Sequence, residues 1–159
     1  MLHSVLDIPK NDERPIRLLH PSFRDFLLTP SRSGSQQFFI EEEDAHSRLF
    51  KKCMNIIMAS LKRNICSMVS PGSSPKEIET NTLKQNIPKH VQYACRHWLR
   101  HLKDSGDHSD GISEPRSGIL SQFLKRGFLY WLEAMSLLGL MVEAVLMIST
   151  AAKMAKVRV

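Results

Sequence analysis

The sequence predicts a mainly α-helical chain with a single β-hairpin at its N-terminus, and three observations predict it. Leu and Met recur while Gly is scarce, with 7 in 159 residues, a balance that favours helices over glycine-dependent turns. Beyond residue 40 apolar residues return at i, i+3 and i+4, the spacing of one face of a helix. The first 20 residues instead hold two short apolar runs around a polar segment bounded by Pro9 and Pro15. At 42% hydrophobic and 24% charged residues the chain is too apolar for wholesale disorder and fits one compact domain or two small subdomains.

In chain order, residues 3–8 and 16–20 read as the hairpin strands and 9–15 as their turn. Two strands alone are marginal in water and need a surface to lie on. A short helix follows over 22–28. Ser22 is its expected cap, Asp25 three residues on nearly completes a capping box, and Phe23, Phe26 and Leu27 share a face. Thr29-Pro30 ends it, and 31–37 is a polar loop. A hairpin running straight into a helix is how the wing of a winged-helix unit leads into its next segment. Residues 1–30 are therefore expected to form a winged-helix remnant, and 31–159 an arm of stacked helical hairpins.

Within that arm a long helix is expected over 42–68, with Leu49, Cys53, Ile56, Ile57, Ser60 and Leu61 on one side and the acids 41–44 at its positive end. Linkers are expected near 69–86, which contains Pro71, Gly72 and Pro75, and near 104–117, with Gly106, Gly111 and Pro115. Between them a helix over 88–104 has the buried stripe Val91, Ala94, Cys95, Trp98 and Leu102. Ile119, Leu120, Phe123 and Leu124 mark another helix. The apolar stretch 128–152 is long enough to cross a bilayer. Glu133 and Glu143 interrupt it, however, and each charge near a bilayer centre costs about 2.5–3.5 kcal/mol on the mildest scale. Two packed helices joined near Gly139 are the preferred reading; a helical membrane-associated protein built on 128–152 is the alternative.

The formal charge is +6 and the pI near 9.4. The cations are dispersed among 16 acids, and the densest pairs, Lys51-Lys52 and Lys62-Arg63, are not interleaved with aromatics. They read as solvated helix faces, so no nucleic-acid partner is expected. DNA binding by a winged helix is a second alternative, but residues 22–28 carry one Arg and one Asp and form no basic recognition helix. Cys53, Cys66 and Cys95 are odd in number and widely spaced, which argues against a disulfide framework or zinc ribbon and suits a reducing, cytoplasmic setting. No apolar h-region follows Met1, so no signal peptide is expected.

The segment Leu18-Leu19-His20-Pro21-Ser22-Phe23-Arg24-Asp25-Phe26-Leu27 resembles the winged-helix motif of NACHT proteins, apolar-His-x-Ser-Phe-Gln/Arg-Glu/Asp-Phe. Leu2 to Leu6 looks like the other wing strand of filamentous-fungal members. Val91-Gln92-Tyr93-Ala94-Cys95 with Trp98, His101 and Leu102, and Trp131-Leu132-Glu133-Ala134-Met135-Ser136, are similar to the fungal helical region. The resemblance covers most of the chain in order; the motif around His20 is its most specific part. It implies a regulatory segment of a signal-transducing NTPase, closed by ADP and opened for oligomerisation by ATP with Mg, acting in fungal self/non-self recognition or cell death. Its implied partner is the nucleotide-binding NACHT core in the same parent chain. No GxxxxGK[ST] phosphate loop occurs in these residues. The chain by itself is therefore expected to be no enzyme and to need no cofactor.

The resemblance implies one site residue: His20 as a contact to the β-phosphate of ADP in the intact parent. A helix start, with its free N–H groups, is also a favourable place for an anion. No catalytic or metal-binding residue is expected. His20, Ser22 and Asp25 do not read as a triad, since capping explains them and no GxSxG loop is present. His90, His97 and His101 read as solvated histidines on a face opposite the buried stripe. Trp98, Phe128, Tyr130 and Trp131 read as packing between helices rather than a stacking platform.

Overall fold

The computed structural model describes residues 6–10, 16–33, 38–68, 78–106 and 114–156. The chain is mainly helical with a small antiparallel hairpin near its N-terminus, as its pattern predicts. It divides into two units, residues 1–45 and 46–159.

In the first unit β1 (Leu6–Asp7) pairs with β2 (Arg17–Leu18), Leu6 opposite Leu18 and Asp7 opposite Arg17. Residues 3–5 and 11–15 of the expected hairpin lie outside the described residues. Helix α1 (Pro21–Leu28) follows. Its cap is His20, not Ser22: the His20 backbone is extended, at φ −138° and ψ 136°, and its ring accepts the Ser22 N–H. The reason lies in Pro21. Proline suits the first helical position and forces the residue before it out of the helical region, so the boundary falls one residue earlier than the serine suggests. Thr29 ends the helix in extended conformation before Pro30. Phe23 and Phe26 stack at 6.2 Å, Phe26 meets Phe38 at 6.4 Å, and the Ile40 N–H donates to the Leu27 carbonyl at 2.9 Å. Among the described residues no apolar side chain of this unit is fully buried. Ile16, Leu18 and Leu19 are all exposed, Leu19 at 57%.

Helix α2 (Glu42–Ser60) starts in the first unit and continues into the second, with Glu42, Glu43 and Asp44 in its first turn as predicted. It stops at Ser60 rather than running to 68. Asn64 and Ser67 adopt φ of 51° and 53°, which no α-helix contains, and the Asn64 side chain brackets Met68, accepting its N–H at 2.7 Å and donating to its carbonyl at 3.0 Å. Cys53, Ile57 and Leu61 are buried as expected, whereas Leu49 faces outward and Phe50 takes its place in the core.

The end of the expected 69–86 linker folds as α3 (Thr80–Asn86), tied down by the buried Ile87. Helix α4 (Lys89–Asp104) buries the whole predicted stripe: Val91, Ala94, Cys95, Trp98 and Leu102. The chain resumes at α5 (Glu114–Gln122), inside the expected 104–117 linker, and continues through a π-helical turn (Phe123–Gly127) into α6 (Phe128–Leu137). The π turn was not legible in the pattern. It adds one residue to the helical repeat, with the Phe128 N–H bonded to the Phe123 carbonyl, and it brings both Phe123 and Trp131 into the core. A side-chain carbon on Gly127 would fall 2.6 Å from the Met58 sulfur, so a larger residue there would have to displace the Met58 side chain of α2.

Helix α7 (Met141–Lys156) packs on α4 and α6. The predicted break at Gly139 is a Schellman turn. Gly139 has φ +72°, its N–H donates to the Ser136 carbonyl at 2.9 Å, and the Leu140 N–H donates to the Met135 carbonyl at 2.8 Å. At the centre of the unit Trp98, Phe123, Phe128 and Trp131 meet at 5.4–6.1 Å, Phe128 stacked on Trp131 and the other pairs edge-on or tilted, and the Trp131 indole donates to the Cys95 carbonyl at 3.0 Å. Three of the four aromatics expected to pack do so; Tyr130 lies on the outside. Among the described residues no helix is long and apolar enough to cross a membrane.

Candidate functional site

The residues of the His20 motif fold as one strand-to-helix junction. Leu18 closes β2, Leu19 and His20 turn the chain, and Pro21 opens α1. His20 Nδ1 lies 3.1 Å from the Ser22 N–H and 2.7 Å from the Ser22 hydroxyl. A nitrogen that accepts a backbone N–H carries no proton, so the neutral ring holds its proton on Nε2. The junction thus fixes the tautomer of an exposed imidazole and leaves a donor that the cap does not use. Neighbouring N–H groups of the first helical turn supply a positive end. The chemistry available here is hydrogen bonding to an anion. Ser22 is held as a partner of the same ring nitrogen, and Asp25 lies exposed on α1.

The histidines of α4 depart from expectation. His90 is exposed, but His97 is half-buried and His101 is only 5% exposed. The early part of α2 packs against this face, setting His46 Nδ1 2.9 Å from His101 Nδ1. On its other side His101 Nε2 meets the Tyr93 hydroxyl at 2.8 Å, and the Tyr93 ring meets His97 tilted, at 4.6 Å between centroids. Burial, then the His46, His97 and Arg100 charges, push His101 below the ordinary imidazole range against an opposing pull from Asp104. Burial and the guanidinium groups of Arg96 and Arg100 do the same to His97. Position in the stripe could not reveal this, because the buried arc of α4 is set by what crosses it. The pairing of His46 with His101 spans 55 residues and left no local signal.

Both glutamates of the apolar stretch have structural partners. Glu133 accepts the N–H groups of Asn64 and Ile65, each at 3.1 Å, and Glu143 takes the Arg96 guanidinium through two bonds of 3.0 Å. The groove between α4 and α7, lined by Arg96, Arg100, Lys103, Leu146 and Met147, has Arg100 paired to Asp104 as well. The three cysteines are free and buried; burial raises all three thiols, Cys95 to about 12, so none is poised as a nucleophile. Among the described residues no group of three or more His, Cys, Asp or Glu side chains could hold a metal ion.

No family model matches the chain, and no solved structure matches it significantly. It is 31% identical over 147 residues to Vegetative incompatibility protein HET-E-1 of Podospora anserina, an alignment covering 84% of this chain. The chain spans 11% of that relative's length. It is thus distantly homologous, over most of its own length, to a part of a fungal incompatibility protein.

Proposed function

We propose that the chain is a regulatory segment of a fungal NACHT-type signalling NTPase: a winged-helix portion and helical arm that lie against the nucleotide-binding core and couple its nucleotide state to oligomerisation in the cytosol. The chain by itself carries no catalytic group in this reading; the parent binds ADP or ATP with Mg. The observation that carries the proposal is the similarity over 84% of the chain to a vegetative incompatibility protein. Two features support it. The hairpin unit leaves Ile16, Leu18 and Leu19 exposed, apolar surface suited to a covering domain. His20, with Nδ1 occupied by its own helix start, has Nε2–H available for a phosphate oxygen.

The test is the rate at which ADP leaves the parent protein. His20→Ala or His20→Leu should speed it and favour spontaneous oligomerisation, because one hydrogen bond to phosphate is worth about 1–3 kcal/mol, up to about a hundredfold in affinity. His20→Asn separates the two roles, since asparagine still caps a helix but presents no imidazole Nε2–H. Equal ADP off-rates and equal oligomerisation in wild type and all three variants would reduce His20 to a structural cap. Tight Mg-dependent nucleotide binding by the isolated chain would refute the division of labour.

A further inference from the structure

We propose that Tyr93, His101 and His46 form a proton-counting latch that holds the beginning of α2 against the end of α4 and opens when the histidine pair takes up a second proton. The geometry carries the argument. Two Nδ1 atoms 2.9 Å apart can be hydrogen-bonded only if one proton lies between them. With both rings neutral, either His46 donates to His101, whose Nε2–H then donates to the Tyr93 oxygen, or the Tyr93 hydroxyl donates to His101, which donates onward to His46. Both arrangements satisfy all three groups. One added proton leaves the contact intact and strengthens it, since an imidazolium donates to a neutral ring. A second places two N–H groups head to head, with no acceptor between them, inside a site where His101 is almost fully buried.

The charged and titratable neighbours bear on that second proton. On α4, His97, Arg100 and Asp104 act on His101, the first two disfavouring its charge and the aspartate favouring it. On α2, His46 disfavours it, while Cys53 faces Tyr93. From α7, Glu143 acts one step away, on His97. Cations outweigh the one adjoining carboxylate, and burial adds to them, so the folded site resists full protonation more than the unfolded chain does. A histidine whose folded value is depressed stabilises fully above its unfolded value of 6.5 and loses that contribution as pH falls through the folded one. The latch therefore opens only as pH falls through that second step, below the ordinary histidine range.

The experiment is an NMR titration of the histidine rings in the full chain, beside thermal unfolding from pH 7.5 to 5. His101 should take up its second-step proton only below the ordinary histidine range. The unfolding midpoint should fall across that step, and in His46→Phe it should fall by less. Titration of the His101 ring at or above the ordinary value overturns the latch even if the variant fails to fold. So does an unfolding midpoint in His46→Phe that depends on pH as steeply as in wild type.

Discussion

The carboxylate of Glu133 is the most exacting test of how the second unit is held together. It sits in the most apolar helix of the chain and receives two backbone N–H groups from the turn after α2, those of Asn64 and Ile65 at 3.1 Å each. Glu133→Ala removes both acceptors. The Asn64 amide is exposed and water replaces its bond, so that loss costs under about 1 kcal/mol. Ile65 is buried, and its amide is left without a partner at a cost of about 1–3 kcal/mol. The sum is about 1–4 kcal/mol. With a urea dependence of about 1.5 kcal/mol per molar, the unfolding midpoint should drop by roughly 0.7–2.7 M. Glu133→Gln retains one acceptor oxygen and should lose about half as much. Fluorescence of the buried Trp98 and Trp131 reports the transition. An alanine variant within about 0.5 kcal/mol of wild type would refute the staple.

Two further outcomes follow from the same structure. Gly139→Ala meets no atom within 4 Å but must adopt a left-handed backbone at φ +72°, so it should cost about 1–2 kcal/mol in urea unfolding with no change in the helices. Alkaline conditions should destabilise the chain beginning near pH 9, because the Cys95 thiol is pushed from 9.0 up to about 12 by burial. Its contribution is complete below the unfolded value and is lost as pH rises towards the folded one, since the unfolded chain ionises first. Replacing Cys95 with alanine should flatten the alkaline limb of a stability–pH profile, and an unchanged limb would contradict the assignment.

Of the candidate site, the sequence revealed the junction but not its chemistry. The motif around His20 marks a strand end and a helix start, yet Ser22 stands where a cap is most often found. Only the backbone showed that Pro21 moves the cap to His20 and thereby assigns the proton to Nε2. The histidines of α4 illustrate the limit in the opposite direction. Helical spacing places His97 and His101 on a common face, but whether that face is wet depends on a helix 55 residues earlier.

Elements whose cause is local were legible in the chain before any folding partner was known. Apolar residues at helical spacing gave the 88–104 helix its buried stripe, Pro30 marked the stop of α1, and Gly139 marked a left-handed turn between α6 and α7. Each depends on the side chains within a turn or two, so each is written in adjacent residues. Features that depend on distant partners emerge only from the packed chain. The early stop of α2 is stabilised by Glu133 from 69 residues away, a carboxylate that the linear pattern shows only as a charge in an apolar run. The π turn exists where Phe123 and Trp131 must both enter one core and where position 127 lies against the Met58 side chain of α2. Packing free energy, summed over contacts far apart in sequence, is large enough to override a local helical period by one residue, and no local period can report it.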